Sequence, residues 1–331
     1  MMVDEPAKQG IGGTQKGPPE EHLGADGGAD GENSARRESV PLKSGEALTA
    51  EEAFSITAAS RTRLLVIAGA VGSGKTTLIA SIFHRFQQEP FGGYIFAGSD
   101  TLIAFDERCY LARITSNRET AATKRTMPGI KRNLLHLRVR EPSITQPARD
   151  LLFADLSGED YEEFKDSPEE CRRFAMIARA DHFIVLVDGN KLIQPAARQG
   201  AKSDTAMLLQ SCLDAEQLGC QSQVDIVISK WDLVDTATDR TVHIAYIEAM
   251  KKWFLQRFRP KLRRLRFFEI AARGERGHYE IACGLATPFK SWVEDLPAAV
   301  PTDCPLPERQ ELTTEFDRYV DRRFGGGHAE V

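Results

Sequence analysis

Residues 69–77, "GAVGSGKTT", have the types and the spacing to hold a phosphate chain. Gly69, Gly72 and Gly74 carry no Cβ to block an anion. With Ser73, Lys75, Thr76 and Thr77 they satisfy the pattern G-x-x-x-x-G-K-[ST], known as Walker A. If a helix starts here, its uncapped N–H groups and the positive end of its dipole converge on the phosphates. Lys75 would add a point charge on the outer phosphates, and the Thr76 hydroxyl would ligate Mg²⁺.

Three later stretches could complete such a site. "LLFADLSGED" reads as an apolar strand ending at Asp155, a carboxylate able to hold Mg²⁺ through water. Gly158 follows, where a bare backbone N–H can approach a terminal phosphate. "VDIVISKWDLVD" ends a second strand with Ser229, Lys230 and Asp232. A carboxylate accepts two parallel N–H bonds from guanine N1 and N2, whereas adenine offers no matching donors on that edge. The Lys230 stem can lie over the flat base while its ammonium reaches back toward the phosphate loop. After "LRFFEIAARG", a backbone N–H at Ala271 or Ala272 could meet the guanine oxygen.

These residues need strands that deliver them and helices that space them. The continuous apolar run 64–68 before the loop is the signature of a strand buried on both faces. Leu78, Ile79, Ile82, Phe83 and Phe86 recur after it at helical spacing. Strand-like and helix-like runs alternate onward to about residue 275, which predicts a doubly wound α/β sheet, mostly parallel. Ligands of such sheets bind at the carboxyl ends of the strands, where the candidate residues fall. "RNLLHLRVR", residues 132–140, alternates apolar and polar side chains, so an antiparallel edge strand with one solvated face is expected there. "HFIVLVDG", residues 182–189, reads as a plain strand-to-turn exit at Asp188 and Gly189.

The chain has 331 residues, 41% of them hydrophobic and 27% charged, enough for one large domain or two small ones. A net charge of −5 gives no reason to expect nucleic acid through bulk electrostatics. Six cysteines are scattered without C-x-x-C pairs and read as thiols of a reducing compartment. No apolar run reaches membrane-spanning length, and the acidic, glycine-rich N-terminus is unlike a signal peptide. A cytoplasmic protein is therefore expected.

In this order the motifs resemble the Ras-like GTPases of the translation-factor-related P-loop class, over roughly residues 60–275. Residues 69–76 match that class's phosphate loop and Asp155 with Gly158 its D-x-x-G motif. Residues 229–232 match N-K-x-D in degenerate form, and 271–273 match the S-A-K loop. "FAGSDTLIAFDERCYLARI", "RTMPG" and "LSGED" further resemble the double-GTPase families of bacterial proteins, often linked to conflict or signalling systems. The resemblance implies GTP or GDP with Mg²⁺ as ligands and a protein effector or activator as partner. It also implies a switch threonine, for which Thr126 is favoured over Thr123 and Thr120. Arg125 beside it would be either an arginine acting in cis or a solvated loop charge.

Several departures from that pattern bear on chemistry. Ser229 stands where Asn usually ties this loop to the phosphate loop, and a hydroxyl reaches less far. Val71 takes a phosphate-loop position that is often Gly. Glu159 follows Gly158 where many have a water-orienting Gln. A carboxylate can accept a proton from water but cannot also donate to the γ-phosphate, and its charge repels it. Slow hydrolysis is therefore expected.

Around this core, residues 1–45 are polar and glycine-rich and read as a disordered tail. A GTPase domain is expected over 46–296, with an inserted helix near 98–116. Residues 297–331 read as a proline-rich linker, an amphipathic helix with Leu312, Phe316, Tyr319, Val320 and Phe324 on one stripe, and a short tail. The basic run 251–266 reads as a helix with a solvated basic face, or as a patch for an acidic partner or an anionic membrane. Three functions stand open on these residues: a switch that hydrolyses GTP slowly, a non-hydrolysing nucleotide-binding adaptor, and a P-loop ATPase.

Overall fold

The apolar run 64–68 lies within β1 (Thr62–Gly69), and both faces of that strand are covered. Leu65 and Ile67 enter one hydrophobic cluster, and Val66 and Ala68 enter another on the opposite side. A strand with helices on both faces has no solvated side to mark with polar residues, so its sequence reads as unbroken hydrophobicity. This computed structural model describes residues 43–115, 134–143, 147–273 and 279–294. The tail expected over 1–45 lies outside that range except for its last three residues, and 297–331 lies outside it entirely.

Helix α1 (Ala50–Ala59) precedes β1 and starts on a capping box between Thr49 and Glu52. After β1 come α2 (Lys75–Gln88), β2 (Ile95–Gly98), α3 (Leu102–Thr115), β3 (Leu134–Arg140) and β4 (Arg149–Asp155). Next are α4 (Gly158–Asp166), α5 (Pro168–Arg173), α6 (Met176–Arg179), β5 (His182–Asp188), α7 (Gly189–Leu192) and α8 (Arg198–Asp214). Then follow β6 (Gln223–Ser229), α9 (Trp231–Asp235), α10 (Arg240–Phe258), β7 (Arg264–Glu269) and α11 (Ala286–Val293).

Among the described residues seven strands form one sheet in the order β2-β3-β4-β1-β5-β6-β7. Strands β4, β1, β5, β6 and β7 run parallel, and β2 and β3 are antiparallel additions beside β4. Helices α2, α3 and α11 cover one face through Leu78, Phe83, Phe105, Phe289 and Trp292. Side chains of α1, α4, α8 and α10 cover the other, among them Ile56, Phe164, Leu208 and Phe254. The chain thus forms the doubly wound α/β sheet that its alternating pattern predicts.

One detail of that expectation is corrected. The alternating stretch 132–140 was expected at the edge with a solvated face, but β2 pairs along the outer side of β3. Because β2 is a four-residue strand interrupted by a bulge near Gly98, it carries too little periodicity to be seen in sequence. The polar side of β3 is only partly solvated: Arg138 and Arg140 stay half-buried. His136 is buried, receives the Asp100 N–H at Nδ1 (3.0 Å) and donates from Nε2 to Asp150 (2.8 Å). Arg138 grips the same carboxylate with two bonds, 2.6 and 3.0 Å.

A matching cluster sits two strands beyond β1. Buried Asp225 accepts from His182 (3.2 Å), from both ends of the Arg266 fork (2.7 Å each) and from the Trp292 indole (2.8 Å). Arg266 belongs to the basic run 251–266, and Lys251 of the same run pairs with Glu248 and Glu269. Ile247, Met250, Phe254 and Phe258 are the buried stripe of α10. That run is therefore partly structural. Cys109, Cys171 and Cys212 are buried free thiols, and Cys283 is an exposed one. Among the described residues no helix is long and apolar enough to cross a membrane.

Burial raises the proton affinity of Asp150 and Asp225, but the bonds from His136 and Arg138, and from His182 and Arg266, outweigh it and hold both below the ordinary carboxylate range. A folded-state value below the unfolded one contributes stability that is full above the unfolded value, about 3.9, and is lost as pH falls through the folded value. Denaturant titrations at stepped pH should therefore show stability falling below about pH 4. Asp225→Asn should cost about 3–5 kcal/mol at neutral pH and flatten that acid dependence. A variant with unchanged denaturation midpoints would show that the cluster does not hold the sheet.

Candidate functional site

Between β1 and α2 the chain makes a glycine-dependent turn. A Cβ at Gly69 would meet the Ser73 hydroxyl at 2.6 Å and the Leu186 carbonyl at 2.9 Å. Gly72 and Gly74 adopt positive φ, +77° and +96°, and Gly74 is the N-cap of α2. The N–H groups that open α2 thus face the space beyond β1. Lys75 is buried, and its ammonium folds back onto the carbonyls of Gly69 (2.5 Å) and Ala70 (3.4 Å). Burial lowers its proton affinity, while the charges of Asp155 and Asp160 oppose that shift. Thr76 and Thr77 occupy the first turn of α2 beside it.

Asp155 ends β4 level with Ile67 of β1. It is 2% exposed, and neither carboxylate oxygen has a hydrogen-bond partner. Burial raises its proton affinity, countered by Lys75 and Arg108 and by the nearby Thr76 hydroxyl, which stands close without completing a bond. Two unpartnered hard oxygens beside a threonine hydroxyl are the donors that Mg²⁺ takes, so the residues fit that ion. Among the described residues no cluster of three or more His, Cys, Asp or Glu side chains gathers as a metal cage.

Gly158 is the first residue of α4, behind the N-cap Ser157. Ser157 and Asp160 exchange reciprocal bonds of 2.9 and 3.0 Å, a capping box that fixes where this helix begins. A Cβ at 158 would lie 2.9 Å from the Val71 backbone nitrogen, so the absence of a side chain lets α4 begin against the phosphate loop. Glu159 lies in the same first turn.

On the other side of β1, the Ser229 hydroxyl at the end of β6 donates to the Ser73 carbonyl at 2.6 Å. The shorter side chain was expected to reach less far than Asn. It bridges to the phosphate loop because the two backbones run close enough that even a Cβ at Gly74 would lie only 3.9 Å from the Ser229 side chain. Lys230 takes a left-handed conformation (φ +52°), and its ammonium pairs with Asp188 at 2.7 Å, not with the phosphate loop. Asp232 is buried in α9. Trp231 N–H donates to Ile270 O (3.0 Å), joining this loop to the end of β7. There Ala271 N–H donates to the Cys283 carbonyl (3.1 Å), and the Ala272 carbonyl accepts from Ala282 N–H (2.9 Å). Beside Ala272 opens a cleft lined by Thr77, Ala80, His84, Cys109 and Ile281.

The structure therefore gathers residues 69–77, Asp155, Gly158, Ser229, Lys230, Asp232, Ala271 and Ala272 at the carboxyl ends of adjacent strands. Thr126, Thr123, Thr120 and Arg125 lie outside the described residues. Sequence reasoning passed over two positions. Asp188 caps α7 and holds Lys230, and a Cβ at Gly189 would collide with the Ser229 carbonyl. Their signal was present: an Asp followed by Gly at a strand end, like the Asp155 stretch.

A doubly wound sheet that brings a Walker A loop and a Ser-Lys-x-Asp turn into one crevice defines the class of P-loop GTPases. Residues 63–293 match the Double-GTPase 2 family, and as this is more than half the chain, the chain belongs to that family. Comparison with curated proteins gives no match. Among solved structures, the chain is similar to the Ski7 GTPase-like domain of S. cerevisiae bound to GDP and inorganic phosphate. Identity is 11% and the TM-score 0.39, covering 72% of this chain and 51% of that one. It is also similar to Roco2 RocCORdC of Methanosarcina barkeri bound to GDP, at 14% identity and TM-score 0.36 over 70% of this chain and 49% of that one. A third is the signal recognition particle receptor SRb-GTP/SRX complex of Chaetomium thermophilum, at 13% identity and TM-score 0.36 over 70% and 96%. The chain thus spans about half the length of the first two.

The Ser229 bond offers a direct test of the crevice. Ser229→Ala should weaken guanine-nucleotide binding several-fold to about tenfold, the worth of one hydrogen bond of about 0.5–1.5 kcal/mol, with little change in melting temperature. Isothermal calorimetry with GDP reads this. Unchanged affinity would mean that the loop holds its shape without the bridge.

Proposed function

We propose that the protein binds Mg²⁺ and GTP in this crevice, hydrolyses GTP slowly to GDP and phosphate, and acts as a molecular switch. The observation that carries the reading is the bond from Ser229 to Ser73. It ties the loop carrying Asp232 to the loop carrying Lys75, so one ligand with a base at one end and phosphates at the other can span both.

In this reading Asp232 accepts from guanine N1 and N2, and Ala272 N–H meets the base oxygen. The Lys230 stem, held by its pair with Asp188, supports the face of the base. Lys75 exchanges the Gly69 and Ala70 carbonyls for phosphate oxygens. Gly69, Gly72, Ser73, Gly74 and Thr77 supply the backbone around the phosphates, and Thr76 and Asp155 hold Mg²⁺, with Thr126 as third ligand when GTP is bound. Mg²⁺, when bound, neutralises charge developing on the phosphate oxygens. The Gly158 N–H, first in α4, turns toward the γ-phosphate. Glu159 can accept a proton from the attacking water but cannot also donate to the phosphate, which keeps the rate low.

Hydrolysis would release the segments around Thr126 and Gly158, and a protein effector or activator reads that difference. Residues 1–45 and 297–331 flank the proposed domain, 46–296, as candidate partner-binding additions. The basic run 251–266 is spent in part on internal pairs, which favours a structural helix over an anionic membrane contact.

Fluorescent GDP, GTP and ATP titrated in Mg²⁺ separate the readings. GDP and GTP should bind, ATP far more weakly, and Asp232→Ala should lose about 10- to 100-fold in guanine-nucleotide affinity, the worth of a charged bidentate bond. Single-turnover hydrolysis by the isolated protein should be well below about 1 s⁻¹, as for intrinsic rates of this class. Equal affinity for ATP would replace the guanine reading with an ATPase, and binding without turnover would leave an adaptor.

A further inference from the structure

Two thiols face each other in the core, on residues that the nucleotide crevice does not use. Cys171 is the one buried residue of α5, and Cys212 is among the buried residues of α8 with Thr205, Leu208, Leu209 and Ser211. Both belong to one hydrophobic cluster and are closed to solvent. Their sulfurs stand 3.7 Å apart, and the Ser211 hydroxyl is 3.6 Å from the Cys171 sulfur. The Cys171 thiol donates to the Phe164 carbonyl at 3.2 Å. Phe164 belongs to α4, so the pair sits where α4, α5 and α8 meet.

The two sulfurs are not equivalent. With its own proton committed to the Phe164 carbonyl, Cys171 is left to accept, from the Cys212 thiol and the Ser211 hydroxyl. The Cys212 bond lowers the proton affinity of Cys171, burial opposes that shift, and Ser211 adds to the lowering. The same contact and burial raise the proton affinity of Cys212. Such a pair supplies one sulfur that reacts as a thiolate and a second that resolves the product. Helix α5 is also easily opened. It has six residues against the seventeen of α8, and its start is held by a long bond, 3.4 Å from Glu170 N–H to the Ser167 hydroxyl. A peroxide is little larger than water and can enter through a local opening of so short a helix.

We infer that Cys171 and Cys212 form a peroxide-sensitive disulfide site that staples α5 to α8. The Cys171 thiolate attacks one peroxide oxygen and the O–O bond breaks. Cys171 becomes a sulfenic acid, and the departing hydroxide takes up the proton that Cys171 gave, leaving as water. The Cys212 sulfur then attacks the sulfenic sulfur, the S–S bond forms, and the sulfenic hydroxyl leaves with the Cys212 proton as a second water. The sulfurs together lose two electrons, which reduce one peroxide to two waters. A dithiol reductant reverses the step by exchange. In the disulfide Cys171 has no proton for the Phe164 carbonyl, so α5 gives up a bond to α4 as it gains one to α8. Nothing in this chemistry requires a nucleotide.

The test treats the reduced full-length chain with hydrogen peroxide, alkylates the remaining thiols and maps the cysteines by mass spectrometry. Cleavage at Asp214 and Glu216 separates Cys212 from Cys220. Wild type should yield a peptide linking Cys171 to Cys212, lighter by two hydrogens than its reduced halves, and dithiothreitol should restore both thiols. Its melting temperature should rise by about 5 °C, because a link between distant points of the chain constrains the unfolded state. Cys212→Ala should halt at a sulfenic acid on Cys171, captured by a cyclic diketone, with no link and no rise. Cys171→Ser keeps a hydroxyl for the Phe164 carbonyl and should leave Cys212 a thiol.

Folded wild type whose Cys171 and Cys212 are both still alkylated after peroxide would overturn the inference. So would a link that forms only in denaturant, a Cys171 oxidised to sulfinic acid without a link, or a melting temperature that stays or falls. Should either variant fail to fold, the linked peptide and the melting shift of wild type decide the matter by themselves.

Discussion

A carboxylate without a hydrogen bond is buried beneath the phosphate loop, and the surrounding groups are arranged about its charge. Taking such an ion out of water costs several kcal/mol unless compensating charges stand near. Asp155 has them in Lys75 and Arg108, which act through space, with the Thr76 hydroxyl alongside. The arrangement leaves both oxygens able to accept a divalent cation or its water shell.

The same sheet carries two other buried aspartates with the opposite fate. Asp150 near the start of β4 and Asp225 near the start of β6 are surrounded by donors, a histidine and an arginine fork in each case. Their charge is satisfied and their proton affinity depressed, whereas burial raises that of Asp155. Position along the strand decides the difference. The amino halves of these strands are closed by polar networks that fix neighbouring strands in register. The carboxyl ends are left with unspent donors and acceptors, where helix starts and loops can gather on a ligand.

Phosphate side and base side are joined by backbone proximity more than by long side chains. The Ser229 hydroxyl reaches the phosphate loop because the two backbones run close, and Gly189, where a Cβ would meet the Ser229 carbonyl at 2.3 Å, lets a third loop pass beside them. Gly158 plays the same part for α4, whose first residue touches Val71. A hydroxyl does here what a longer amide would do on a more widely spaced frame.

Residue types and periodicity by themselves determined the doubly wound sheet, the strand β1 buried on both faces, the apolar stripe of α2, and the order of strand-end motifs. Each of these is a local pattern: an apolar run, a helical repeat, a glycine before a lysine. Only the tertiary structure decided that β3 is covered by β2, since four residues around a bulge carry no periodic signal. It alone closed His136 and the half-exposed Arg138 onto the buried Asp150 carboxylate and paired Lys230 with Asp188. Those choices depend on which distant segments meet, and charge burial is a property of the meeting, not of any residue read in line.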